Sequence, residues 1–113
     1  MKMNKVFVPN EPIRFVQGEP RSVFDITPAS KYGEIVILTS GNNITLSPQP
    51  LVAHFKKLLE DFNDSDYIIA IGDPSAMCIC CSVAAHLNGG RFKLLKWNRT
   101  TDSYLVVPVY IGD

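Results

Sequence analysis

The turn Ile71-Gly72-Asp73-Pro74 has the residue types and the position of a ligand-binding loop. It joins a predicted strand to a predicted helix, where many α/β proteins bind ligands, and helix N-termini attract anions. Gly72, Asp73 and Ser75 would line such a site in a small enzyme or a nucleotide-binding module. However, Asp73 brings its own carboxylate to the positive helix end, and phosphate-binding loops have several glycines where this turn has one. We therefore expect Asp73 to cap the helix and keep the ligand site as the alternative.

The three cysteines, in Cys78-Ile79-Cys80-Cys81, are crowded into one segment. Their spacing is not that of a metal site, and an odd, clustered set does not build a disulfide framework. We expect reduced thiols packed in the core of a cytoplasmic protein. The two histidines, His54 and His86, are predicted to face solvent, and neither neighbours a nucleophile in the sequence. The sequence predicts no catalytic residue, no metal and no cofactor, so we expect a protein that is not an enzyme.

A third set combines basic and aromatic side chains on a predicted strand pair. Its members are Arg91, Lys93, Lys96, Trp97, Arg99 and Tyr104. Such a surface can hold single-stranded nucleic acid through phosphate contacts and base stacking. Yet eleven Lys+Arg balance eleven Asp+Glu to a formal net charge of +0, so no overall field draws the chain to nucleic acid or to a membrane. A solvated hairpin face or a protein contact is favoured, with nucleic-acid binding as the less favoured alternative.

The second predicted helix, residues 74–87, is unusual because no formally charged residue lies between Asp73 and Arg91. A helix that is apolar all round is normally buried all round. One side can pack on a sheet, whereas the side with Met77, Ile79, Cys81 and neighbours such as His86 needs a second cover. Three covers are open: the N-terminal segment, the same helix of a second copy in a twofold dimer, or another protein.

Alternating strands and helices position these sets, as is typical of an α/β domain. Apolar runs predict parallel strands at 34–39, 67–71 and 92–97, joined by crossover helices and followed by an antiparallel edge at 104–111. The first helix is predicted to begin at Ser47-Pro48 and to stop at 63–66, and Ile44-Thr45-Leu46 to form a short partner strand. Because Pro108 lacks an N–H, the last strand should lie at an edge.

A length of 113 residues with 46% hydrophobic residues predicts a single domain over 1–113. Six of the eight prolines fall in the first fifty residues, which excludes long helices there. We predict short strands near 5–8 and 12–16 and an extended piece at 22–26, which together form an extended arm, residues 1–33, packed on the domain. No apolar run reaches the length of a membrane span or of a signal-peptide core.

Residues from Asp66 onward carry a family resemblance, mainly over 66–110. The motifs are Asp66-Tyr67-Ile68-Ile69-Ala70-Ile71-Gly72-Asp73-Pro74, the helix after it, and Gly90-Arg91-Phe92-Lys93-Leu94-Leu95-Lys96-Trp97-Asn98-Arg99. In these segments the chain resembles a group of small proteins encoded by tailed bacteriophages. The resemblance implies no assigned activity and no catalytic residues. We therefore expect a phage accessory protein that acts by self-association, most simply as a homodimer, or by contact with a host or viral protein in the host cytoplasm.

Overall fold

The computed structural model of the chain describes residues 4–41 and 48–112. Its elements in chain order are β1 (Lys5–Val8), β2 (Ile13–Val16), β3 (Glu19–Ser22), a 3-10 helix (Thr27–Tyr32), β4 (Glu34–Ile37), α1 (Pro48–Leu58), β5 (Tyr67–Ile69), α2 (Pro74–Leu87), β6 (Arg91–Asn98) and β7 (Ser103–Tyr110). Five strands form a sheet in the order β4-β1-β5-β6-β7, and β2 and β3 form a separate hairpin. The sheet is parallel except for the β6–β7 pair. The predicted α/β class, mixed sheet and antiparallel edge are confirmed.

The structure differs from the predicted arm at residues 5–8. This segment is β1, which pairs in parallel with β4 on one side and β5 on the other. Val6 and Val8 face one side of the sheet and Phe7 faces the other, and all three are buried. Pro9 and Pro12 follow the strand, so they limit its length and do not exclude it from the sheet. Further along, β2 and β3 form a separate hairpin outside this sheet, and every residue from Arg14 to Arg21 is exposed.

Each face of the sheet has its own apolar cluster. On one face, Phe7 and Ile68 pack with Phe55 of α1 and with Cys80 of α2, so both helices lie on the same side. On the other face, the cluster that contains Val6, Val8, Ile69 and Leu95 is covered by Ala29 in the 3-10 helix. The apolar side chains alternate between the faces along each strand because successive strand residues point to opposite sides.

The connections leave two neighbouring strands, β1 and β5, in opposite directions. From β1 the chain passes the 3-10 helix on one face to reach β4, and from β5 it passes α2 on the other face to reach β6. Crossover connections are right-handed, so two connections that run in opposite directions along a sheet must lie on opposite faces of it. The carboxyl ends of β1 and β5 therefore border a topological switch point, where open α/β sheets bind ligands.

Several predicted boundaries need adjustment. Helix α1 ends at Leu58, earlier than the predicted stop at 63–66, and the turn that follows still buries Leu59 and Phe62. The predicted cap Ser47 and the predicted strand Ile44-Thr45-Leu46 lie outside the described residues. Neither α1 nor α2, over the ranges described, has the length and apolar character that a membrane-spanning helix needs.

Helix α2 is not buried on every side in the protomer, so the second cover that the sequence predicts for it would have to come from a second copy or another protein, which stays a prediction. Its sheet-facing side is buried at Ala76, Cys80, Val83 and Ala84, whereas Ser75, Cys78, Ser82 and His86 are exposed. The cover expected from the N-terminal segment is absent among the described residues, because β2 and β3 pair only with each other. Most of the exposed positions carry small or polar side chains, which water solvates at little cost, but Leu87 at the end of the helix is 39% exposed.

Candidate functional site

A cleft of about 940 Å³ opens at the carboxyl ends of β1, β5 and β6, and we call it the switch-point cleft. Its lining residues come from four segments that are distant in sequence: Asn10 and Pro12; Phe24 and Asp25; Ile69, Ala70, Ile71, Gly72, Asp73 and Met77; and Lys96, Trp97, Arg99 and Tyr104. The cleft thus joins the predicted ligand turn to four of the six members of the predicted basic and aromatic set. Sequence analysis treated these as separate features.

Asn10 holds the β1 and β5 sides of the cleft together. It is only 2% exposed, its Oδ1 accepts a hydrogen bond from the Asp73 N–H at 2.9 Å, and its Nδ2 donates to the Gly41 carbonyl at 2.9 Å. Gly72 has a φ of +94°, and a Cβ there would lie 2.1 Å from the Asn10 carbonyl oxygen. Gly72 is therefore required by a close backbone approach, which is a structural reason for the glycine of the predicted turn.

Asp73 is the N-cap of α2, as predicted. Its Oδ1 accepts hydrogen bonds from the N–H groups of Ser75 at 2.8 Å and Ala76 at 3.2 Å. These are the amide groups that a bound anion would otherwise use. The positive end of α2 is therefore satisfied within the chain. Ser75 is exposed and does not line the cleft.

Aromatic rings form the wall of the cleft on the β6–β7 side. Trp97 and Tyr104 are cross-strand partners whose ring centroids lie 5.0 Å apart at an interplanar angle of 73°. Trp97 keeps 40% of its surface exposed, whereas Tyr104 is buried. Burial, and in second place the negative charge of Asp25, raise the pKa of the Tyr104 hydroxyl. Asp25 and Tyr104 both line the cleft.

The charged side chains of the cleft differ in whether they already have a hydrogen-bond or ion-pair partner. The Asp25 carboxylate accepts hydrogen bonds from the hydroxyl and the N–H of Thr27, which lower its pKa. Among the described residues, the one salt bridge joins Arg21 to Glu19 at the exposed hairpin, so Lys96 and Arg99 have no anionic partner there. Hydrogen bonds from neutral N–H and O–H donors leave the charges of Asp73 and Asp25 in place, so the cleft lining holds two carboxylates and two cations, with both cations on the β6 side.

The other members of the basic set lie towards the opposite end of β6. The Arg91 guanidinium is 4.7 Å from the centroid of the Tyr110 ring, and the Lys93 ammonium is 4.1 Å from that of Tyr67. Both arrangements are cation–π contacts. The structure therefore divides the predicted basic surface into a pair at the start of β6 and a pair at the cleft.

The α2 residues of the predicted interaction surface are also divided. Met77 lines the switch-point cleft, whereas Ile79 and His86 line a shallow groove of about 320 Å³ between α1 and α2. Cys81 is partly buried beside the core. The other histidine, His54, is exposed and donates from Nε2 to the Leu38 carbonyl at 3.1 Å.

Cys80 and Cys81 pack at the core as predicted, whereas Cys78 is exposed, so the prediction of a core position is wrong for that residue. Cys80 is fully buried and its pKa is raised, mainly by burial and in part by Cys81. Burial and, less strongly, Cys78 raise the pKa of Cys81 to about 11. Raised pKa values disfavour the thiolate that redox chemistry and metal binding need. Within residues 4–41 and 48–112, no three side chains of His, Cys, Asp or Glu are grouped as a metal site requires.

Sequence analysis missed Asn10, Phe24 and Asp25 as cleft residues. Phe24 and Asp25 follow the hairpin, and no sequence pattern shows that the chain returns there to the ends of β5 and β6. Asn10 had a detectable signal, since it directly follows β1. Recognising that signal requires knowing that β1 lies in the sheet beside β5.

Comparison with known proteins gives one match. A family model described as phage Pam3 gp32-like protein matches residues 4–111. No curated protein and no solved structure matches the chain. The matched range includes every strand of the sheet, both helices and all the residues that line the switch-point cleft. This agrees with the resemblance to phage proteins and extends it over nearly the whole chain, which belongs to the phage Pam3 gp32-like protein family.

Proposed function

We propose that this phage protein is a non-enzymatic accessory protein that works in the host cytoplasm by self-association through β7. The observation that supports the proposal is the character of this edge strand. No charged residue occurs from Ser103 to Gly112, and the strand exposes Leu105, Val106 and Tyr110 to solvent. Natural edge strands are usually protected by charges, short length or bulges, and an unprotected apolar edge pairs readily with another strand.

The orientation of the β7 backbone shows which residues can make such a pair. The Ile111 N–H donates to the Gly90 carbonyl at 2.7 Å, so the N–H of Ile111 points towards the β6 side. Backbone groups alternate in direction along a strand, which directs those of Tyr104, Val106 and Tyr110 outward. Pro108 occupies an outward position as well, where its missing N–H leaves the β6 pairing intact.

Charge favours a second copy of the chain as the occupant of this edge. A twofold dimer requires antiparallel β7 strands. A register symmetrical about Val106 places Asp102 of one copy opposite Tyr110 of the other. Arg91 lies over the Tyr110 ring and forms no ion pair among the described residues. The pairing therefore sets a cation beside an acidic residue at both ends, with an uncharged strand between them.

Sedimentation velocity over a range of concentrations tests the proposal. We expect a dimer at high micromolar concentration for the native chain and for Val106→Ala, which keeps the outward N–H. Val106→Pro removes only this outward donor, at a position equivalent to Pro108, and should give a folded monomer. A native chain that stays monomeric throughout, or a Val106→Pro variant that still dimerises, contradicts the proposal.

A charge exchange tests the twofold register separately. Arg91→Glu places two acidic groups together at each end and should weaken dimerisation, as should Asp102→Lys alone. The combined Arg91→Glu and Asp102→Lys variant restores opposite charges and should recover the dimer. Lys93→Glu is the matched control, since this residue lies over the Tyr67 ring, away from β7's outer edge. Equal behaviour of the single and combined variants would rule out this register.

A further inference from the structure

We propose that the switch-point cleft binds a nucleotide unit, with its base against Trp97 and its phosphate at Lys96 and Arg99. This proposal does not depend on self-association through β7. A cleft of about 940 Å³ has room for a ligand of this size, because sites for small molecules commonly measure 300–1,000 Å³. The cleft lies at a topological switch point, and open α/β sheets bind their ligands at such points.

The aromatic side chains favour a planar ring. Trp97 is 40% exposed and Phe24 is 51% exposed, although both line a concave surface at the edge of the apolar core. The edge-on contact with Tyr104 holds the Trp97 ring in a defined orientation. Stacking on such a ring is available to any base, because every base has a flat π-face.

The charges favour an anion attached to that ring. Lys96 and Arg99 are the cations that line the cleft, and they lack an ion-pair partner among the described residues. The Asp73 and Asp25 carboxylates belong to other segments of the lining, at the start of α2 and after the hairpin, where each accepts hydrogen bonds from its own segment.

The same geometry excludes the usual phosphate position at the start of a helix. Asp73 occupies the first amide groups of α2, and Asn10 fills the space beside Gly72. The phosphate is therefore assigned to the β6 side of the cleft. This distinguishes the site from a glycine-rich loop, in which backbone amides surround the phosphate.

Trp97 is the one tryptophan in the sequence, so its fluorescence reports directly on the cleft. We expect saturable quenching when the full-length protein is titrated with adenosine 5′-monophosphate. Adenosine should bind more weakly, and inorganic phosphate alone should not quench. Added salt should weaken the binding of the monophosphate and leave the binding of adenosine nearly unaffected, because only the monophosphate has a charge that Lys96 and Arg99 attract. Absence of saturable quenching at millimolar nucleotide overturns the proposal.

Variants separate the phosphate and base contacts. Lys96→Ala and Arg99→Ala should each lower the affinity for the monophosphate roughly tenfold, which is typical for loss of a charge-assisted hydrogen bond. Phe24→Ala should lower the affinity for both adenosine and its monophosphate, and it leaves Trp97 in place as the fluorescent group. Lys93→Ala is the control, because it removes a nearby cation that does not line the cleft. Equal losses in Lys93→Ala and Lys96→Ala, with unchanged circular dichroism, would contradict the assigned site.

Free nucleotides and single-stranded nucleic acid share this chemistry, and a further titration distinguishes them. The probe is hexathymidylate compared with thymidine 5′-monophosphate, in the same quenching assay. Tighter binding of the oligomer by tenfold or more, with a steeper salt dependence, identifies a single strand as the source. Equal affinity identifies a free nucleotide. Sedimentation of the same samples shows whether β7 association is present, so the two proposals can fail independently.

Discussion

Gly72 is the residue whose replacement the structure penalises most clearly. Its left-handed backbone conformation and the nearby Asn10 carbonyl both exclude a side chain. We expect Gly72→Ala to lower the free energy of unfolding by about 3 kcal/mol in urea denaturation, from backbone strain plus the forced movement of a buried segment.

Gly18 provides the matched control for this prediction. It also has a positive φ, +80°, but a Cβ there would meet no atom within 4 Å. Gly18→Ala should therefore cost only about 1 kcal/mol, the strain of the left-handed conformation alone. Similar losses for the two variants would show that the approach of Asn10 to Gly72 is not tight.

Cys80 makes stability depend on pH in the alkaline range. Burial raises the pKa of this thiol in the folded state above the ordinary value of about 8.5 in the unfolded chain. Below that value both states hold the proton and stability is unaffected. As the pH rises above about 9, the unfolded state loses its proton first, and the free energy of unfolding should fall by about 1.4 kcal/mol per pH unit.

Urea unfolding at pH 8, 9 and 10 measures this slope, and Cys80→Ala should reduce it. Burial also raises the pKa of Cys81, to about 11, so this thiol should add a comparable slope over the same range and the variant should keep part of the alkaline loss. An identical slope in the variant and the native chain would assign the alkaline loss to other groups.

At the scale of elements, the sequence largely predicted which segments form strands and which form helices. It did not predict which parallel strands pair with each other in the sheet. Helix α2 was predicted well because Asp73-Pro74 marks its start and Asn88-Gly89 its end. The edge position of β7 was correctly predicted from Pro108. The role of β1 was missed because a three-residue apolar run followed by a proline has the same pattern in an arm and in a sheet. Its pairing with residues 34–37 and 67–68 is a long-range property.

The β2–β3 hairpin is predicted to contribute little to stability. Every residue from Arg14 to Arg21 is exposed, and the Val23 N–H closes the base of the hairpin on the Pro12 carbonyl at 2.9 Å. Replacement of residues 14–21 by an Asn-Gly turn should change the free energy of unfolding by less than about 1 kcal/mol. Phe7→Ala, in the central strand, should by contrast cost about 3–5 kcal/mol. A comparable loss in the shortened variant would show that the hairpin packs on the domain.

For the whole molecule, the switch-point cleft was beyond sequence analysis although half of its lining residues had been singled out. Lys96, Trp97 and Asp73 were each recognised by residue type and local spacing. Their proximity follows from strand order, with β1 inserted between β4 and β5, and strand order leaves no local signal in a single sequence.

Hydrogen exchange over the whole chain tests this strand order. Amides of β1 should exchange as slowly as those of β5, because both strands are bonded on two sides. Amides of β2 and β3 should exchange much faster, since those strands pair only with each other. Rapid exchange at residues 6–8, measured by mass spectrometry of peptic fragments, would instead support an arm.

The central place of β1 also affects how the protein is made. The ribosome synthesises this strand before both of the strands that flank it, and its partner residues 67 and 68 follow about sixty positions later. Val6, Phe7 and Val8 therefore leave the exit tunnel with nothing to bury them, and the sheet cannot close until β5 has been translated. Nascent chains stalled before residue 67 should accordingly be captured by chaperones that bind short apolar segments, and release should coincide with the appearance of β5.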